Sequence, residues 1–321
     1  MTKRRLLWRD TRRRPALPSG DGCARLFSMS SAILLMLLTG ALWALVGVLF
    51  GAAPAEKDRL WSFFSLNGIL FTAFVWLTQA PAAAPPREVL RLAALIVPSA
   101  VAEVFAFLLL KLAMERGPQG IAWSVSQSAM ALAFLGSVAF LGTPASAAQW
   151  LGLALALASL VLFARVRPAG PAGAGAGGPR YWRILLASFL LIGAGQFLRL
   201  VPGHAGLSSG ALTWRLPLQA PFGMIFWTAA CLSTGRWRPR LVWRQALPYA
   251  VVVALGQIAF YRATDAADAL RLTAVVLPVS IGTCILLFAL WCRFVRGERL
   301  SRVGWGAVAL DIAGIVLLSC A

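Results

Sequence analysis

The sequence predicts an all-α membrane protein, with ten transmembrane helices arranged as two inverted five-helix repeats. Three observations carry that expectation. Hydrophobic residues make up 60% of the chain and charged residues 13%, whereas a soluble domain holds about 45–50% and about 25%. Several apolar runs are longer than about 18 residues and hold at most one charge, the signature of helices that cross lipid. Near the middle, residues 168–179 consist only of Pro, Ala and Gly. Glycine is costly to order and proline cannot continue a helix, so this stretch reads as a flexible connector. Five apolar runs precede it and five follow it.

Residues 1–28 form a polar, arginine-rich tail, read as a disordered arm that touches anionic lipid headgroups. Lys3-Arg4-Arg5 resembles the start of a twin-arginine export signal, but Arg9, Arg12, Arg13 and Arg14 follow where such a signal turns apolar. Met29 is an alternative start. The first repeat, 29–165, is expected to hold span 1 at 31–50, span 2 at 60–80, span 3 at 90–113, span 4 at 119–141 and span 5 at 147–165. A flexible linker occupies 166–180. The second repeat, 181–321, holds span 6 at 181–201, span 7 at 208–233, span 8 at 244–263, span 9 at 268–292 and span 10 at 302–320. The connections are short, so successive spans are expected to be antiparallel neighbours.

The halves echo each other. Phe71 and Trp76 in span 2 match Phe222 and Trp227 in span 7 at an offset of 151, and the same offset aligns Lys111 with Arg262. Gly40 matches Gly193, and Trp150 matches Trp305, at slightly different offsets. Because five is odd, the second half must enter the membrane upside down, the inverted repeat of many secondary transporters.

Short motifs carry a family resemblance. Arg296-Gly-Glu-Arg-Leu-Ser301, Trp305-Gly306 and Gly314-Ile-Val-Leu-Leu318 resemble the end of an EamA-type repeat. Gln149-Trp-Leu-Gly152 and Ser159-Leu-Val-Leu162 resemble the same ending in the first half, and Ala274-Val-Val-Leu-Pro-Val279 resembles that repeat's proline helix. The chain departs from the pattern at Thr143, where a glutamate is usual, and at Gln127, which aligns with an expected proline. The resemblance is to the drug/metabolite transporter superfamily. It implies a ten-helix exporter or exchanger in the cell inner membrane, with a central cavity lined mainly by spans 1, 3, 4, 6, 8 and 9.

The resemblance also implies cytoplasmic termini. In that orientation the cytoplasmic segments hold 13 Lys and Arg, 8 of them in the tail, against 16 outside. Without the tail the count is 5 against 16 and favours the reverse. The cytoplasmic placement is taken, weighting the resemblance over the loop count. The net charge of +19 comes from short basic clusters between apolar runs. Such clusters orient helices and touch lipid, so no nucleic-acid partner is expected.

Glu103 lies midway along span 3. A charge there costs on the order of 2.5–3.5 kcal/mol on insertion scales, so it needs a partner, water or a proton. It reads either as a proton- or cation-binding carboxylate facing the cavity or as a structural partner of Lys111 or Arg215. Arg215, one turn from Gln219, reads as a ligand for an anionic group or as a snorkelling cation. Polar side chains recur on the spans that line the implied cavity: Trp43, Ser124, Gln127, Gln196, Gln257, Tyr261 and Ser280. In lipid these groups must face protein or a wet cavity, and together with Arg215 and Gln219 they are the candidate substrate-binding set. Asp311, on a small-residue face of span 10, reads as interhelical glue. The matching small face of span 5 (Gly152, Ala156, Ser159) allows these two helices to pack on each other or to form a homodimer.

Other chemistry is disfavoured. The chain has one histidine, His204, and no Walker-type phosphate loop, so neither a histidine-rich metal site nor ATP-driven transport is expected. Gly173–Gly178 matches a dinucleotide fingerprint, but inside the linker and with no preceding strand. No acid pair or histidine cluster points to an enzyme, and no cofactor is expected. The five cysteines form no C-x-x-C pair and read as buried free thiols. The expected function is a secondary transporter for a small metabolite or drug-like molecule. A lipid or lipid-linked sugar flippase on the same fold is the alternative.

Overall fold

The computed structural model describes residues 22–165, 178–269, 273–298 and 301–318. The described residues are helical, with no strand among them. The first half holds α1 (Gly22–Gly51), α2 (Lys57–Thr78), α3 (Pro86–Met114), α4 (Gln119–Gln127), α5 (Met130–Leu141) and α6 (Ala147–Arg165). The second holds α7 (Pro179–His204), α8 (Ser209–Leu212), α9 (Arg215–Ser233), α10 (Trp243–Ala269), α11 (Thr273–Phe294) and α12 (Arg302–Leu318). By length and composition, eight candidate crossings stand out among the described residues: α1 from Met29, α2, α3, α4 with α5, α6, α7, α8 with α9, and α11 from Val276. α10 and α12 pack into the same bundle. Residues 1–21 of the expected tail and 166–177 of the expected linker lie outside the described residues.

Helix ends follow the punctuation of the sequence. Pro86 and Pro179 open α3 and α7, where a missing N–H removes no intrahelical bond. α5 stops at Gly142, whose φ of 66° is left-handed and free of a Cβ clash only in glycine. One boundary is corrected at the N-terminus. α1 opens at Gly22, ahead of the expected residue 31, so the end of the expected tail is helical.

Two expected spans are interrupted. In span 4 the Ser128 hydroxyl donates to Ser124 O at 2.8 Å. The backbone there tightens into i to i+3 bonds, Ala129 N to Ser126 O, Ala131 N to Ser128 O and Leu132 N to Ala129 O. In span 7, Thr213 N to Gly210 O and Trp214 N to Ala211 O make a similar tight turn. It is anchored where Thr213 Oγ1 accepts the Ala82 amide at 2.9 Å. Both sides of each break stay apolar, so hydrophobic periodicity does not register it.

The two halves are interlocked. α3 packs on α7, α1 on α10, α2 on α9, and α6 on α12. Ser99 donating to Gly195 O and Ser188 donating to Ala106 O, both at 2.9 Å, make α3 and α7 antiparallel. The small faces of α6 and α12 meet each other within the chain. A Cβ on Gly152 would lie 2.6 Å from Leu318 N and 2.7 Å from Gly314 O, a backbone approach that only glycine permits. At the C-terminal end of α1 the core is aromatic, with Phe50 ringed by Phe64, Trp123 and Tyr249. Cys231, Cys284 and Cys292 are buried free thiols; the side chains of Cys23 and Cys320 lie outside the described residues.

Candidate functional site

The site is built where α3 of the first half meets α7 and α9 of the second. Ser99, one turn before Glu103, is pinned to the Gly195 carbonyl, which sets Glu103 against the last two turns of α7. A Cβ on Gly195 would lie 3.5 Å from Glu103 Cγ, so glycine here lets the acid lie along the α7 backbone. Glu103 Oε1 forms an ion pair with Arg199 of α7. Its Oε2 accepts a hydrogen bond from Gln219 Nε2 of α9 at 2.6 Å. The Glu103 side chain is 22% exposed and that of Arg199 38% exposed, so the pair is not sealed in dry packing.

Glu103 therefore does not pair with Lys111. That lysine is buried about two turns further along α3, where its Nζ donates to Gly51 O at 3.1 Å and sits 3.6 Å from Glu115 Oε1. Burial raises the Glu115 carboxyl above its ordinary pKa, with Lys111 opposing the shift. Arg215 opens α9 and approaches Gly203 near the end of α7. It stands one turn before Gln219 on α9.

The other expected site residues are dispersed. Trp43 packs its ring 5.4 Å from Phe260 and against Gly256, joining α1 to α10. Gln257 lines a small cleft between α2, α9 and α10 with Phe71, Thr78, Leu216 and Ile258. Ser280 donates to Met36 O at 3.1 Å and ties α11 to α1. Ser124 is buried on α4, and Gln127 closes that helix, half-buried, at the break. Gln196 lies on α7 one turn before Arg199. The side chain of Tyr261 lies outside the described residues. Asp311 is fully buried where α12 meets the break in span 4 and α6, as interhelical glue would be: Ser128 Oγ stands 2.8 Å from both its carboxylate oxygens and Ser159 Oγ 3.2 Å from Oδ1.

Arg199 is the site residue that the sequence reading missed. It sits near the expected end of span 6, where a cation is ordinarily counted as a loop charge. The available signal was a lone acid and a lone base within otherwise apolar runs, each needing a partner in lipid.

The sequence from residue 30 to residue 165 matches the model of the EamA-like transporter family. That stretch belongs to the EamA-like transporter family. The match covers α1 from Ser30 through α6, and the matched family is one of the drug/metabolite transporter superfamily. With its apolar helices, it makes the chain a multi-pass membrane protein of transporter type. No curated relative matches the sequence. A solved crystal structure of a protein superposes with a TM-score of 0.54 at 17% identity, covering 90% of this chain and 96% of that one. This likeness is one of fold, and it extends through the half beyond the EamA-like domain.

Proposed function

We propose that the protein is a secondary active transporter that exports or exchanges a small metabolite or drug-like molecule across the cell inner membrane, by alternating access of two halves in inverted orientation. Glu103 is its proton-coupling group. The observation that carries this reading is the bridge from Glu103 on α3 to Arg199 and Gln219 on α7 and α9. It is the kind of contact that a proton could break and remake as the halves rock. A protonated carboxyl loses its ion pair with Arg199, which loosens one half from the other; deprotonation restores the link. Antiparallel packing of corresponding helices, α2 on α9 and α6 on α12, supports the inverted arrangement.

No homodimer is needed to cover the small faces of α6 and α12, which cover each other; a dimer through these helices would use their outward apolar sides, around Leu151, Leu157 and Val161. Anionic headgroups are the expected partners of the basic loops.

The test is transport by purified protein in proteoliposomes carrying an imposed pH gradient. Glu103→Gln should remain folded in the membrane and lose gradient-driven flux. Wild-type flux with unchanged pH dependence in that variant would exclude the coupling role.

A further inference from the structure

We propose that Arg199 and Gln219 are the recognition site for the carboxylate of a small organic anion, which takes the place that Glu103 occupies in this structure. The inference rests on the transporter reading above and names its substrate class.

Arg199 and Gln219 present N–H donors from two helices to the two oxygens of one carboxylate. That is the arrangement a ligand carboxylate requires, and a guanidinium matches it well. Both donors belong to the second half, whereas Glu103 belongs to the first. A ligand that displaces Glu103 therefore keeps the donors satisfied while removing the contact between the halves. The site also has hydrogen-bonding capacity that Glu103 does not use. Among the described residues, Arg199 Nε is a buried donor without a hydrogen-bond partner, a costly state unless an acceptor meets it. The Arg199 side chain is 38% exposed, so protein packing does not close over it, and a Cβ on Gly223, one turn past Gln219, would meet nothing within 4 Å. Glu103 thus acts as an internal competitor that occupies the anion site when no ligand is bound.

The test uses the purified full-length protein and its thermal stabilisation by a panel of short mono- and dicarboxylates, with amines and alcohols of matched size. Carboxylates should stabilise the wild type. Glu103→Gln removes the competitor and should bind them about fivefold tighter, the factor a partly exposed ion pair carries. Arg199→Gln, and the charge-balanced double variant Glu103→Gln with Arg199→Gln, should lose carboxylate binding while remaining monodisperse. Loss of carboxylate binding in Glu103→Gln, preference for amines or alcohols, or no stabilisation by any carboxylate would overturn the assignment. The same panel in proteoliposomes separates the two readings. Uptake of amines or alcohols without carboxylates overturns the anion site and leaves a transporter, whereas no uptake of any class overturns both.

Discussion

Asp311 on α12 and Ser128 at the break of the fourth span are locked together in a fully buried contact, with Ser128 Oγ 2.8 Å from both carboxylate oxygens. Ser128 Oγ also lies 2.8 Å from Ser124 O, so its single proton is shared between the backbone of the α4–α5 turn and the last helix. Ser159 brings α6 into the same cluster. Replacing Asp311 by Ala removes the acceptor shared by three segments. The expected loss is about 1 kcal/mol, the scale of interhelical hydrogen bonds in lipid, read as a lower melting temperature of the purified protein. Asp311→Asn keeps an acceptor and should lose less. Equal melting of all three proteins would mean that the cluster contributes nothing.

The close approach of α6 and α12 gives a paired steric prediction. A Cβ on Gly152 meets backbone atoms at 2.6 and 2.7 Å, whereas one on Gly306, also on α12, meets nothing within 4 Å. Gly152→Ala should lower stability by about 1–3 kcal/mol, because backbone cannot move aside as a flexible side chain can. Gly306→Ala should stay within about 0.5 kcal/mol of wild type. Thermal melts compare the two directly, and a tolerant Gly152 would show that the helices can part without cost.

At the end of the bundle that holds Lys111, Glu298 follows α11 and accepts the Gln119 and Gly120 amides at 3.2 and 3.1 Å. These are orphan donors at the start of α4, so the side chain acts as a cap supplied by the other half. Its backbone amide also donates to Cys292 O at 3.0 Å, and Cys292 is a buried free thiol. Glu298→Ala should uncap α4, loosen this end and speed maleimide labelling of Cys292, located by peptide mapping. Unchanged labelling would show that Glu298 does not hold the end closed.

The expected orientation is tested by reporter fusions at residues 170 and 321. With cytoplasmic termini and five crossings before the connector, a fusion at 321 should report from the cytoplasm and one at 170 from the opposite side. A cytoplasmic signal at 170 would reverse the topology and give the loop charges precedence over the arginine-rich tail.

The membrane class, the helical content and the EamA-like character of the first half were legible in the sequence, because apolar length and composition alone decide whether a segment prefers lipid. Glu103 could also be singled out there, since an acid within an apolar run stands against that background. What the sequence could not supply was its partner. Arg199 is 96 positions away, and its pairing depends on the register of α3 against α7, which the Ser99 and Ser188 hydrogen bonds fix. The breaks at Ser128 and Thr213 were equally out of reach, since a hydroxyl that turns onto its own backbone leaves hydrophobic periodicity unchanged. Composition therefore determined which solvent surrounds the chain, and only the tertiary structure decided which polar groups meet inside it, because in lipid those groups must find partners across helices far apart in sequence.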